Sequence, residues 1–300
     1  MKGQRLSEAK KKVELSIIIV NFNTGRFLTR CLDFIGKNSP KRSFEIFVVD
    51  NNSNDNSIEI VKKHYPEVKL IKNSSNFGFS YANNQGIVRS KGKYILILNP
   101  DTIVTEGALD ALVDFMNRNP DAGIAGAKLL NFNGSIQYSC RRFPTIFSVF
   151  FGRQSIFIKF LPYNRVSRKY LMMDEDYSKN IEVDWVFGAS MIVRRKALEE
   201  VGIFDEDYFI FVEDTDLCYR MRKKGWNVCF VADAVFFHHL GVTRARFWKT
   251  TLLNHNLGMF KFFKKHYNLN PFTQTILSVG LSLRLLLLVM VKAAENFIQG

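Results

Sequence analysis

The sequence predicts an α/β fold, a sheet flanked by helices, and three observations predict it. Apolar runs at 15–20, 44–49 and 94–98 have the length and composition of strands buried on both faces. Between the first two, Phe27, Leu28, Cys31, Leu32 and Ile35 recur at helical spacing, which makes a βαβ unit. Each run also ends on polar residues: Asn21 after the first, Asp50 after the second, and Asn99-Pro100-Asp101 after the third. Open α/β sheets bind ligands beyond the carboxyl ends of their strands.

Taken in order, the first strand leads into Asn-Phe-Asn-Thr-Gly at 21–25, so Asn21 and Asn23 stand at the rim of the sheet. Asp50 directly ends the second strand. A carboxylate there can accept two hydrogen bonds from a pyrimidine ring or a ribose, with Asn52 assisting. The polar run that follows reads as a loop, with Asp55 or Asn56 capping a helix through residue 64. A third strand at 68–71 precedes a short helix entered from Asn-Phe-Gly-Phe-Ser-Tyr-Ala-Asn-Asn at 76–84. No GxGxxG spacing and no glycine-rich phosphate loop follow the first strand, which argues against dinucleotide-binding dehydrogenases and P-loop enzymes. The fourth strand, 94–98, delivers Asp101. That residue is either a metal anchor or a turn residue capping the next helix. A helix at 106–117, a strand at 122–130 and a turn at Gly134 close the first half.

In the second half, Trp185 beside Gly188 suits a ring on the floor of a sugar site, and equally a core tryptophan in a buried strand. Glu213, Asp214 and Asp216 cluster where a helix through Leu217, Met221 and Gly225 begins. Such a run usually means an exposed capping cluster, but four apolar residues precede this one and would hold it at a pocket edge, where desolvation and mutual repulsion raise one pKa. Arg220 and Arg222 are expected to pair with neighbouring acids. His238 and His239 point to opposite faces of an extended chain, so at most one of them ligates anything.

The 300 residues carry a net charge of +14, unevenly spread. Residues 2–12, 141–170 and 234–294 are basic, and the last two contain no acid. The basic stretches are interleaved with large apolar side chains, among them Phe147, Phe157 and Phe260, and no nucleic-acid module signature occurs. An anionic membrane surface is therefore the expected partner, and nucleic acid is not. The four cysteines lack CxxC spacing, and 1–12 lacks an apolar signal core, which points to a reducing, cytoplasmic setting. Phe247, Leu252, Leu257, Phe260 and Phe263 with Lys261, Lys264 and Lys265 suggest a basic amphipathic helix. The apolar segment 276–291 is interrupted by Arg284 and falls short of the roughly 20 residues of a span, so it reads as an in-plane or packed helix, with a true span as the alternative.

Together, Asn-Phe-Asn at 21–23, Val-Val-Asp-Asn-Asn-Ser at 48–53, Asn-Phe-Gly-Phe-Ser-Tyr-Ala-Asn-Asn-Gln-Gly-Ile at 76–87 and Leu-Asn-Pro-Asp at 98–101 resemble family 2 glycosyltransferases. More narrowly, they resemble the rhamnosyltransferase-like branch that builds bacterial cell-surface polysaccharides. The resemblance covers about 14–243 and implies a GT-A fold with a mixed central sheet. It divides the chain into a basic tail (1–13), a transferase domain with donor half 14–130 and acceptor half 131–243, and a helical, membrane-associating extension (244–300). It also implies inverting transfer of a sugar from a nucleoside diphosphate, dTDP- or UDP-linked and rhamnose first among candidates. The acceptor would be a hydroxyl of a polysaccharide or polyprenyl-diphosphate-linked glycan at the inner membrane face.

By the same resemblance, Val20, Asn21, Asp50 and Asn83 hold the nucleotide, with Asn23, Asn52 and Gly78 in the same donor site. Asn99 and Asp101 occupy the DxD-type signature, whose first acid is replaced here by Asn99. His238, three residues before Gly241, joins Asp101 on Mn2+ or Mg2+. Trp185 and Gly188 meet the acceptor, Asp214 is the base, and Glu213 is its reserve. The alternative is a non-catalytic GT-A-like protein that binds nucleotide or glycan without turnover.

Overall fold

The computed structural model describes residues 12–151, 164–239 and 248–299. The basic tail up to residue 11, residues 152–163 of the basic aromatic stretch, and Gly241 and Phe247 lie outside them.

A nine-stranded mixed sheet forms the centre. Strand β1 (Leu15–Asn21) pairs in parallel with β2 (Phe44–Asp50) on one side and with β4 (Tyr94–Leu98) on the other. Strand β3 (Lys69–Lys72) extends the β2 side in parallel. Beyond β4 the order continues through β10 (Ser190–Arg194), β6 (Ala122–Leu130), β11 (Asn227–His238) and β5 (Thr102–Val104). The chain therefore leaves β1 in opposite directions, and the crevice this opens lies at the carboxyl ends of β1 and β4.

Strand β4 is buried along its whole length, as its apolar run requires. Leu96 and Leu98 face a core made with helices α1 (Gly25–Lys37) and α4 (Ala108–Arg118). Ile95 and Ile97 face a second core, which includes Ala82 and Ile87 of α3 (Phe79–Arg89). Helix α2 (Ser57–His64) starts after Asn56, as expected.

The capping role of Asp101 does not occur. Asn99 to Thr102 does form a turn, in which the Thr102 amide donates to the Asn99 carbonyl at 3.2 Å. The chain then runs into β5, and α4 begins only after Gly107. Strand β5 pairs antiparallel with the end of β11, Thr102 opposite His238, and this pairing brings Asp101 beside that histidine.

Between β6 and β10 the chain passes through β7 (Cys140–Arg141), α5 (Ile146–Phe151), α6 (Arg165–Tyr170), β8 (Ile181–Glu182) and β9 (Trp185–Val186). Helix α7 (Arg195–Val201) follows β10, and α8 (Glu213–Lys223) carries the acidic cluster. Gly225 lies beyond the end of α8 at φ +89° and does not continue it.

Helices α9 (Trp248–His266) and α10 (Pro271–Gln299) form a third core with Tyr208 and Val212. The apolar face of α9 differs from the expected one. Phe262 and Phe263 are fully buried, whereas Leu257 is 49% exposed. Helix α10 is also longer than the apolar run suggests. Its stretch Pro271–Ala293 is long and apolar enough to cross a membrane. Arg284 does not break it, because the guanidinium turns inward and donates to Asn256 Oδ1 at 2.7 Å.

Candidate active site

A cavity of about 530 Å3 opens at the carboxyl ends of β1 and β4. Of the residues singled out in the sequence, Val20, Gly78, Asn99, Asp101, Trp185, Gly188, Glu213, Asp214 and His238 line it.

At one side, the Asp101 carboxylate and His238 Nε2 approach to 3.4 Å. Gln137 decides what that contact means. Its amide nitrogen donates to the His238 carbonyl at 2.8 Å, so its oxygen faces His238 Nδ1, at 2.9 Å, and accepts the proton there. With Nδ1 engaged in this way, the neutral form of the ring presents a bare Nε2 lone pair to the carboxylate. Asp101 Oδ1 is buried and has no hydrogen-bond donor among the described residues. Two acceptors face to face with nothing between them fit a cation, and a ring nitrogen oriented from its far side is the usual support of a metal-ligating histidine. Among the described residues no group of three or more His, Cys, Asp or Glu surrounds the point, so a metal here would take its other ligands from substrate and water. His239 is turned away, its ring 5.4 Å from that of Phe27 and 5.7 Å from that of Phe132.

The other acidic centre is the start of α8. Glu213 is 5% exposed, and its Oε2 lacks a hydrogen-bond partner among the described residues. Burial, and next the neighbouring Asp214 carboxylate, push it well above the usual carboxylate range. The upward shift favours the protonated form of Glu213, which leaves Asp214 the better placed of the two to accept a proton. Asp214 is only half-buried. Its Oδ2 accepts from the Gly188 amide at 3.0 Å and its Oδ1 from the Thr215 amide at 2.7 Å. Those donors favour the ionised form and aim it. A Cβ at Gly188 would make only ordinary contacts, 3.5 Å from Phe79 and 3.8 Å from Asp214. What the chain uses there is the backbone N–H. Trp185 is nearly buried and lines the cavity, with Nε1 donating to the Arg142 carbonyl at 3.0 Å.

The acids of α8 divide sharply. Burial alone would raise Asp216, but His266, Arg220 and Lys265 hold it down to about 2. His266 Nε2 lies 2.7 Å from Asp216 Oδ1, and Arg220 Nε lies 2.7 Å from Oδ2. Asp216 docks α9 onto α8. Arg222 reaches Glu182 at 3.1 Å, so both arginines pair with acids as expected. The residues just before Glu213 are strained: Phe211 and Val212 have φ of +69° and +73°, a rare region for any side chain and more so for a β-branched one.

Five expected donor residues do not line the cavity. The Asn21 amide sits 2.8 Å from Asp50 Oδ1, 3.0 Å from Ser53 Oγ and 2.8 Å from Ser57 Oγ, while the Ser53 amide donates to Asp50 Oδ2 at 3.0 Å. Asp50 is 2% exposed, and its carboxylate accepts from the Asn21 side chain and from the Ser53 amide of the 51–57 loop. Asn23 Oδ1 likewise accepts from the Asn54 amide at 2.7 Å, and Asn52, at φ +64°, is exposed in that loop. Asn83 is fully buried within α3 and donates back to the Phe79 carbonyl at 2.9 Å. Its neighbour Asn84 staples the halves together, donating to the Phe204 carbonyl at 2.9 Å and accepting from the Phe204 amide at 3.1 Å. The wall is made instead by Phe22, Thr24, Asn51 and Asn76, which sequence reasoning passed over. Gly78 is at φ +90°, where a Cβ would come within 2.5 Å of the Phe209 carbonyl, so only glycine fits.

Residues 16–202 match the family described as Glycosyl transferase family 2. The N-acetylglucosaminyl-diphospho-decaprenol L-rhamnosyltransferase of Mycobacterium tuberculosis is 29% identical over 259 residues, 83% of this chain and 83% of that protein. Rhamnosyltransferase WbbL of Escherichia coli is 25% identical over 257 residues, 82% of this chain and 91% of that one. The mannosyltransferase PcManGT from Pyrobaculum calidifontis, solved with GDP-Man and Mn2+, superposes with a TM-score of 0.57 at 18% identity, over 95% of this chain and 74% of that one. That likeness shows the GT-A fold. With well over half its length inside the family match, the chain belongs to glycosyl transferase family 2 and is a glycosyltransferase.

Proposed function

We propose that the chain transfers a sugar, L-rhamnose first among candidates, from a dTDP- or UDP-linked donor to a hydroxyl of a polyprenyl-diphosphate-linked or polysaccharide acceptor, with inversion at the anomeric carbon. The observation that carries this reading is the pairing, in one cavity, of a cation-shaped gap between Asp101 and His238 with a carboxylate at Asp214 aimed by two amide hydrogen bonds. The names of the mycobacterial and E. coli relatives support the sugar, and the mycobacterial name supports the lipid-linked acceptor.

The nucleoside lies along Val20, Phe22, Thr24 and Asn51, with the Asn21–Asp50 pair as the rigid layer behind. Asp101 and His238 hold a divalent ion, Mn2+ or Mg2+, whose contribution when bound is to neutralise the diphosphate's charge. Asp214 takes the proton of the acceptor hydroxyl. That oxygen bonds the anomeric carbon from the face opposite the diphosphate, and the bond to the diphosphate oxygen breaks with its electron pair. Trp185 floors the acceptor sugar, and protonated Glu213 donates a hydrogen bond to it. Helix α10 rests on the inner face of the membrane, where such an acceptor resides. The test is thermal protection by a panel of nucleotide sugars with and without Mn2+. Protection by one donor, enhanced by the metal, is expected, and protection by none would remove the donor-site assignment.

A further inference from the structure

Leu277, Leu281 and Arg284 recur on one stripe of α10, and all three are buried, at 3%, 4% and 7% exposure. Two of them pack in the apolar core shared with Phe262 and Phe263, whereas Arg284 enters the wall of the cavity. A second guanidinium, that of Arg141 on β7, is 3% exposed and lines the same cavity. It is fixed by donation to the carbonyls of Tyr138 and Cys140 and by the Phe187 ring, 4.9 Å away. Two buried guanidinium groups thus line one cavity. Neither arginine has a part in the proton transfer described above.

Tyr170 joins this region to the base. It lines the cavity, and its hydroxyl is within electrostatic reach of Arg141, of Asp214 and of Arg284. Burial pushes it up to about 12, with the two arginines acting downward and Asp214 upward. The helix that supplies Arg284 also exposes Phe272, Ile276, Val279, Leu283 and Met290, each at least 55% accessible. A phosphate group held at Arg284 would bring an attached hydrocarbon chain to an apolar helix surface.

We infer that Arg284 and Arg141 form the subsite for the diphosphate of a lipid-linked acceptor, its prenyl chain following the exposed face of α10. This rests on the glycosyltransferase reading above. The guanidinium fork matches phosphate oxygens, and two forks suit two phosphates. The donor's diphosphate has the same chemistry, so the experiment separates the two sources.

Full-length wild type, Arg284→Gln and Arg284→Lys are assayed with N-acetylglucosamine carried either on a short prenyl diphosphate or on a neutral alkyl chain. For the diphosphate acceptor, Arg284→Gln is expected to raise KM about tenfold or more, with the donor's KM unchanged and Arg284→Lys recovering much of the loss. For the neutral acceptor, all three proteins should show equal kcat/KM. In wild type, which requires no substitution of a buried residue, a sugar-free prenyl diphosphate should inhibit competitively against the acceptor and not against the donor. Equal losses on both acceptors, a rise in the donor's KM, or inhibition competitive with the donor alone would each overturn the subsite. A wild type that transfers to neither acceptor would instead remove the lipid-linked glycan reading beneath it, whereas a transferring enzyme indifferent at Arg284 removes this inference only.

Discussion

Two polar clusters border this cavity under opposite rules. Behind the end of β1, Asn21, Asp50, Ser53 and Ser57 satisfy one another within 3.0 Å. Across the cavity, Asp101 Oδ1 and Glu213 Oε2 are buried without hydrogen-bond donors among the described residues, and two strained residues precede Glu213. A closed polar network rigidifies the backbone that carries it, whereas an open one is costly until something outside the chain completes it. In the proposed function the first cluster is scaffold for the nucleotide wall, and the second is where chemistry is done.

The comparison is broken most directly at Asp214. Asp214→Asn keeps the shape and the amide contacts but removes the proton acceptor. A loss of kcat of about 10^2–10^4-fold is expected, with donor protection against unfolding retained. Equal loss of donor protection would return Asp214 to a structural role. On the closed side, Asn21→Ala strands a buried carboxylate and should lower unfolding free energy by roughly 2–4 kcal/mol, read by denaturant titration. A change below about 0.5 kcal/mol would mean that the network is not what rigidifies the loop.

Gln137→Leu tests the open side more gently. It frees the His238 tautomer, and apparent affinity for Mn2+, measured by protection in the presence of nucleotide, should fall about 10–100-fold. Glu213→Gln is the smallest perturbation. Because the folded pKa of Glu213 lies above its ordinary value of 4.5, the folded state binds more protons than the unfolded state as pH rises past that value. Its contribution to stability is fully present below about 4.5 and is lost as pH climbs towards the folded pKa. The glutamine variant should therefore lose less stability than wild type between pH 5 and 8. Parallel pH profiles would show that Glu213 ionises normally.

The strands and the acids at their ends were legible because each signal is local. A five-residue apolar run closing on Asn-Pro-Asp says buried strand and rim, and β4 with Asp101 is that. The same logic places Asp50 at the rim, but not in the cavity wall: its carboxylate turns back to accept from the Asn21 side chain and the Ser53 amide. Gln137 was invisible because its value depends on His238, 101 residues away and joined to it only by folding. Arg284 was misread as an interruption of an apolar helix. Helical spacing with Leu277 and Leu281 would have put it on the inward stripe, but no spacing rule says that a cavity waits there.

The corner at Phe211 and Val212 bears on how the protein can be handled. Gly258 of α9 lies against it, and a Cβ there would stand 3.0 Å from Val212 Cγ2 and 3.1 Å from the Phe211 carbonyl. Positive-φ side-chain residues cost of order 1–3 kcal/mol each and persist only while their surroundings hold them. Trimming the chain after residue 239 to obtain a more tractable enzyme would remove that hold, along with the His266 and Lys265 contacts to Asp216. The expected product still takes up donor sugar nucleotide but does not turn over. What resembles a detachable anchor is a clamp on the catalytic helix, and a shortened catalyst would have to be engineered with a replacement for it.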